Sequence, residues 1–533
     1  MHPTVPPAAH ASFCAPEWDI CRHIRQGARF WGHRPAVECG DETLSFAGLD
    51  TDSDRLAAAL LALGLRPGDR VAVQSRNAVG LVVLETALLK AGLVKVALNA
   101  RFTADEVLDV MSTAAPAVFC AGDGFAHAPD TPGFDSVRHF ISLAGPAPGY
   151  HTAADLMAQA PQGPVHVAVG PEALAVLHFS SGSTGRIKAA MQTYGNRMAC
   201  IRKVLFRNEG APRPGDRLAL VGPITHASGM LMQPFLYAGA TLHLFERFQP
   251  KAFLAAVQQH RITHAFMVPA MIHALLEEPD LARCDLSSLR QLTYGAAPMA
   301  PARIEEAWRR IGPVLAQGYG LSESTSAVLA LSTRDHAEAL ASAPHRLASC
   351  GRPYGETEVK VVNAQGHEVS GDEIGEIVVR GPDVFAGYWE SPELTAEAVV
   401  DGWLRTGDLA RVDEQGFVYI VDRKKDMLVS GGFNVYPTEV EAALYRHPAV
   451  YEVCVIGVPD ERWGEAVKAV VVPRPGMSIS AEELISHCRP LLADYKRPRS
   501  VDFVGALPKN PNGKLARKAV REPFWAGRER QVH

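Results

Sequence analysis

Residues 178–196 read HFSSGSTGRIKAAMQTYGN, a composition that could hold phosphate. Gly182 and Gly185 let backbone N–H groups converge on an anion without steric cost, and Ser180, Ser181, Ser183 and Thr184 add hydroxyl donors. Lys188 contributes one mobile positive charge. The Walker loop needs G-x-x-x-x-G-K-[ST]; here the glycines are only three apart and Lys188 lies three beyond the second, so a P-loop NTPase is excluded. A loop of this kind standing alone is equally well a flexible surface turn, so its meaning depends on the elements around it.

Those elements alternate. The apolar run AVLHF leads into the loop as a short strand, and RVAVQS, AVGLVVLETALLKAG and LVKVALN read earlier as strand, helix, strand. RLALVGP, HAFMVPA and LRQLTYG are further short buried strands, each before a helix or loop. Such alternation predicts an α/β fold with parallel sheets covered by helices on both faces, and ligands at the carboxyl ends of the strands. From about residue 350 the texture changes to short strands joined by AQG and EQG turns, suggesting antiparallel pairs. After DRKKDM the order helix, strand, strand, helix predicts a small α+β domain. The expected division is an N-terminal domain of residues 1–424, including a small β subdomain, and a mobile C-terminal domain of residues 425–533.

Composition bounds the rest. The chain has 533 residues, long enough for two or more domains. Its 53 basic and 58 acidic side chains leave a net charge of −5, which excludes a global basic surface for nucleic acid. Nine cysteines without a C-x-x-C pair read as free thiols of a reducing compartment. No apolar stretch reaches the length of a membrane span, and the N-terminus lacks the pattern of a secretory signal. A cytoplasmic enzyme is expected, its oligomeric state left open with a homodimer among the options.

Further motifs accompany the loop: QGYGLSES (317–324), GEIVVRGPDVFAGYW (375–389), GWLRTGDLA (402–410), DRKKDMLVSGGFNVYPTEVE (422–441) and PKNPNGKLARK (508–518). In this order, over essentially the whole chain, they resemble the adenylate-forming superfamily of acyl-CoA synthetases, adenylation domains and beetle luciferases. The loop departs from that pattern in places: Ile187 replaces the usual proline, Ala189 and Ala190 replace a Gly-Val step, and Tyr194 stands where His is common.

The resemblance implies a role for each motif. Ser180, Ser181, Gly182, Ser183, Thr184, Gly185 and Lys188 would hold the ATP phosphates. Gly295, Ala296, Ala297, Gln317, Gly318, Tyr319, Gly320 and Ser322 would surround the nucleotide, with Tyr319 offering its ring to adenine. Glu323 resembles the magnesium-binding glutamate, a hard oxygen ligand suited to Mg²⁺. Asp408 and Arg423 match the ribose contacts, and Lys425 the hinge between domains. Lys514, otherwise an ordinary surface lysine, matches the residue that meets both the acid and the α-phosphate. Lys514, His226, Thr184 and Glu323 are thus the expected catalytic residues.

For the acceptor, Gly431 and Gly432 would leave room for a pantetheine arm, while Trp463, Tyr495 and Arg497 match CoA-clamping positions. CoA is therefore expected, with ATP and Mg²⁺; the alternative is a stand-alone adenylation enzyme loading a carrier protein. His226 and Ala227, with Tyr294, Gly295 and Gly320, would line the acyl pocket. A tyrosine at 294 is expected to shorten that pocket and offer its hydroxyl, so the acid should be compact: aromatic, alicyclic or of short to medium chain.

Overall fold

The computed structural model describes residues 20–181, 187–509 and 515–526. The chain divides into two compact units, one of Met1–Leu347, Gly351–Val359 and Val379–Leu404, the other of Ala348–Cys350, Lys360–Val378 and Arg405–His533. Residues 405–424, which the sequence reading assigns to the large domain, fall in the second unit.

Two sheets build the first unit. The seven-stranded one is ordered His151–Thr152, His139–Ser142, Val118–Ala121, Arg70–Gln74, Val94–Leu98, Leu174–Ser181, Ile187–Thr193. All neighbours are parallel except the final hairpin, which closes one edge. The nine-stranded sheet has a parallel centre, in which Leu315–Gly320, Gln291–Gly295, His264–Met267, Arg217–Leu220, Thr241–Leu244 and Pro35–Cys39 are successive neighbours.

These strands are continuous apolar runs because both faces are covered; Val71, Ala72 and Val73 are all fully buried. One apolar cluster draws Val71 and Val73 from the first sheet and Leu218, Leu220 and Leu242 from the second, together with helices Phe46–Ala62 and Val79–Ala91. The second of these helices is apolar on nearly every side, as a helix enclosed on all faces must be, and ends on Gly92 at φ +67°. Separate clusters cover the outer face of each sheet.

Asn77 ties the sheets together. Its buried amide donates to the carbonyls of Leu220, Gly222 and Phe245 at 3.2, 2.9 and 3.0 Å and accepts from the Ile224 N–H at 2.9 Å. Four backbone groups at the carboxyl ends of two parallel strands are thereby fixed, together with the loop entering His226.

The second unit contains a five-stranded sheet of Phe433–Val435, Leu428–Ser430, Gly464–Pro473, Val450–Asp460 and Ser500–Phe503, with helices Pro437–Leu444, Ala481–Cys488 and Arg517–Trp525. Glu441, buried, is satisfied by the Arg517 guanidinium and the Val455 N–H. The architecture is the expected one, α/β with a larger N-terminal part and a smaller α+β C-terminal part. Among the described residues no helix is long and apolar enough to cross a membrane, and every cysteine is a free thiol.

Candidate active site

The hairpin of Leu174–Ser181 and Ile187–Thr193 pairs Ser180 with Lys188 and Ser181 with Ile187, which brings together the two ends of the glycine–hydroxyl segment. Gly182, Ser183, Thr184, Gly185 and Lys514 lie outside the described residues, as do the side chains of Ser180 and Ser181. The departures beside the loop have structural reasons. Ala189 and Ala190 are buried in the sheet, and the buried Tyr194 donates its hydroxyl to the Leu89 carbonyl at 3.1 Å.

Residues 386–389 lie along the second strand of this hairpin. Ala386 N–H donates to Met191, Met191 N–H to Gly387, and Trp389 N–H to Ala189, each at 2.9 Å. That register brings Tyr388 to Lys188, whose ammonium stands 5.2 Å from the ring centroid. The Tyr388 hydroxyl donates to Glu323 Oε1 at 2.8 Å. Burial, with the Glu323 carboxylate beside it, pushes the phenol's pKa far up, so Tyr388 stays a donor. Among the described residues Glu323 makes no other side-chain bond, which leaves Oε2 open to a hard cation such as Mg²⁺. Glu323 belongs to a single 3₁₀ turn, Ser322–Ser324, and Phe385 N–H donates to its carbonyl at 2.8 Å. The turn ends on Thr325 at φ +55°, a costly conformation for a β-branched residue and one that clusters at functional sites.

The nucleotide motifs sit at the carboxyl ends of adjacent parallel strands, where Gly295 pairs with Gly318. A Cβ on Gly295 would meet the Gly318 carbonyl at 2.4 Å, and one on Gly320 the Ser326 carbonyl at 2.2 Å, so both positions demand glycine. Ala296 follows at φ +67° and is exposed, with Ala297 half-buried beside it. Gln317, Tyr319 and Ser322 are likewise half-buried.

Tyr294 departs from its expected role. Its ring is fully buried in the apolar cluster under the nine-stranded sheet, and its hydroxyl bonds to His336 Nε2 at 2.9 Å and Gln317 Oε1 at 3.3 Å. Strand alternation sends it, with Leu292, into that cluster, so the hydroxyl is engaged rather than offered to an acid.

His226 is 9% exposed. Its Nδ1 lies 2.9 Å from Thr225 Oγ1, and Nε2 has no partner. The ring meets His178 edge-on at 5.1 Å. Burial, helped by the Lys95 charge, holds its pKa down at about 4, so the imidazole is neutral. Ala227 beside it is exposed.

In the second unit Asp408 and Arg423 are cross-strand partners, Nε to Oδ1 3.0 Å, with the carboxylate buried and the guanidinium half exposed. Lys425 is exposed in the turn after that strand. Gly431 and Gly432, at φ +60° and +83°, form a two-residue hairpin turn that requires glycine twice. Gly431 N–H donates to the Trp463 carbonyl at 2.8 Å, and a Cβ there would strike the indole at 2.6 Å. The cations over Trp463 are Arg499 and Arg462, at 4.8 and 5.1 Å. Arg497 instead donates to the Leu492 and Arg489 carbonyls, while Tyr495 packs against Phe433 at 4.8 Å.

Sequence reasoning missed Tyr388, Asn77 and His178. Tyr388 and His178 lie inside quoted motifs, but nothing local announces their partners.

Two family models match the chain: AMP-binding enzyme over residues 24–389, and AMP-binding enzyme C-terminal domain over residues 439–514. A feruloyl-CoA synthase of Amycolatopsis sp is 40% identical over 501 residues, 93% of this chain and 97% of that protein. The fatty acid–[acyl-carrier-protein] ligase ScoC of Streptomyces coeruleorubidus is 34% identical, over 94% of this chain and 95% of its own. Among solved structures, the amide bond synthetase McbA from Marinactinospora thermotolerans superposes with a TM-score of 0.85 at 33% identity, covering 95% of this chain and 100% of its own. The chain belongs to the AMP-binding enzyme family, as an ATP-dependent, AMP-forming acid–thiol ligase.

Proposed function

We propose that the enzyme joins a compact carboxylic acid to ATP, giving acyl-AMP and pyrophosphate, and then passes the acyl group to the thiol of CoA, releasing AMP. The arrangement of Lys188, Tyr388 and Glu323 beside the glycine–hydroxyl loop carries this reading. It gathers a cation and a free carboxylate oxygen where the triphosphate would lie. Mg²⁺ bound at Glu323 would supply charge neutralisation for the pyrophosphate as it leaves. Lys188 and the loop would hold the β- and γ-phosphates, and Lys514 would draw the acid's carboxylate toward the α-phosphorus. His226, neutral and buried, would shield the mixed anhydride from water. The C-terminal domain, turning about Lys425, would then bring Gly431, Gly432 and Trp463 to the CoA arm. The eight cysteines among the described residues are free thiols, which fits a cytoplasmic setting.

The test is AMP release across a panel of carboxylic acids, with and without CoA. CoA-dependent release with an aromatic or short-chain acid is expected; equal turnover of palmitate would overturn the compact-acid reading. In Lys514→Ala, adenylation should fall about 10²–10³-fold while thioester formation from preformed acyl-AMP is largely spared. Equal loss in both half-reactions would remove Lys514 from its role.

The likeness to ScoC favours a second reading, in which a carrier protein's phosphopantetheine takes the acyl group. The enzyme would then stall as bound acyl-AMP in the presence of CoA.

A further inference from the structure

We propose that His178 and Arg197 form a polar wall of the acid pocket that selects acids bearing a second oxygen acceptor, a carboxylate above all, distant from the carboxyl being activated. The proposal rests on the reading of His226 as a pocket residue and names the class of acid that this pocket takes.

His178 is 8% exposed, and neither of its ring nitrogens has a hydrogen-bond partner. Its neighbours Leu177 and Phe179 point into the apolar cluster on the outer face of the seven-stranded sheet, so the period of the strand turns His178 to the opposite face. There its ring meets His226 at 5.1 Å, and the Nε2 of His226 is also unpaired.

Arg197 stands in the first turn of helix Tyr194–Leu205, directly after the phosphate-loop hairpin, and is 9% exposed. Among the described residues it has neither a hydrogen bond nor an ion pair. The nearby carboxylate of Glu85 is already taken by Lys95, whose ammonium lies 2.8 Å away. Arg197 and Lys95 both act electrostatically on His178, reinforcing the burial that keeps it uncharged.

Buried polar groups without partners are rare because leaving one unsatisfied is costly. Here His178 is such a group, in ring contact with the expected acyl gate, and the Arg197 guanidinium lies close enough to act on its charge. Guanidinium has donors only, and neutral imidazole has one donor and one acceptor. An oxygen acceptor on the acid's tail satisfies both, most strongly as a carboxylate through charge-assisted bonds. A purely hydrocarbon tail would leave them unpaired, the situation in which a site discriminates most sharply.

The experiment is acid-dependent ATP–pyrophosphate exchange with the full chain, using matched pairs: hexanoate against adipate, and 3-phenylpropanoate against its 4-hydroxy and 4-carboxy derivatives. The oxygenated member of each pair should show about tenfold or higher kcat/KM, chiefly through KM. Arg197→Met and His178→Phe should collapse that ratio. Equal use of both members by the wild-type enzyme overturns the proposal, as does a preference that survives both substitutions. Should either variant fail to fold, thermal shifts of the wild-type enzyme decide: adipate must raise Tm above hexanoate in the presence of ATP, and equal shifts refute the proposal. Exchange without discrimination refutes this inference alone; no exchange with any acid refutes the ligase reading together with it.

Discussion

Tyr388 donates its hydroxyl to Glu323 Oε1 across 2.8 Å while its ring lies 5.2 Å from the Lys188 ammonium. One side chain thus orients the carboxylate expected to hold magnesium and steadies the lysine expected to hold phosphate. Because its hydroxyl cannot ionise at working pH, it takes no proton; it positions. In Tyr388→Phe one oxygen of Glu323 loses its donor, and hydrogen bonds to charged groups contribute about 1.5–3 kcal/mol. The Mg²⁺ concentration for half-maximal pyrophosphate release should rise about tenfold, with thioester formation from supplied acyl-AMP unaffected. An unchanged Mg²⁺ titration would show that Glu323 needs no such support.

Gly431 separates the half-reactions in the other direction. An alanine there must adopt φ near +60°, costing roughly 1–2 kcal/mol, and must displace the Trp463 indole that its Cβ meets at 2.6 Å. Gly431→Ala should raise KM for CoA by roughly tenfold, since 1.4 kcal/mol is a factor of ten, and leave ATP–pyrophosphate exchange intact. Parallel loss of both activities would mean that the turn serves folding rather than CoA.

Tyr294→Phe tests the reassignment of that residue. The phenylalanine ring fills the same core space but abandons the bond to His336, so stability should fall by about 1 kcal/mol, read as a lower urea midpoint. Ratios of kcat/KM among acids should not move. A changed acid preference would return Tyr294 to the pocket wall.

Acid should weaken the fold before the carboxylates titrate. Burial holds His226 and His336 at about 4, below their ordinary 6.5, so between those values the unfolded chain binds protons that the folded chain refuses. Stability is therefore complete above pH 6.5 and lost as pH falls toward 4, by about 2 kcal/mol per histidine at pH 5. Glu38, held at about 2 by the His243 and Arg217 bonds, adds its own loss only below its ordinary 4.5. Urea unfolding at pH 7 and pH 5 measures the difference, and His226→Asn should flatten it. Equal stability at the two pH values would contradict the buried neutral state of these rings.

Much of the protein is legible along the chain because the relevant physics is local. A period of two or 3.6 marks strand and helix, glycines mark positive φ and close approach, and clustered hydroxyls with a lysine mark phosphate. Gly431 and Gly432 have positive φ, Gly295 and Gly320 sit against backbone carbonyls, and Leu174–Ser181 is the strand that leads into the loop.

What sequence alone determined is the alternating architecture, the glycine–hydroxyl composition of residues 178–196 and the ordered motifs of an adenylate-forming enzyme. Only the tertiary structure decided which hydroxyls and charges are engaged. Tyr294 is consumed by His336, Arg497 by backbone carbonyls, and Glu323 is met by a tyrosine 65 residues away. Asn77 finds its partner Gly222 across 145 residues, and His178 on its strand finds His226 on a loop of the other sheet. Such pairings depend on strand order, register and the face to which each side chain turns, and those follow from packing two sheets around shared helices rather than from any neighbour in the chain.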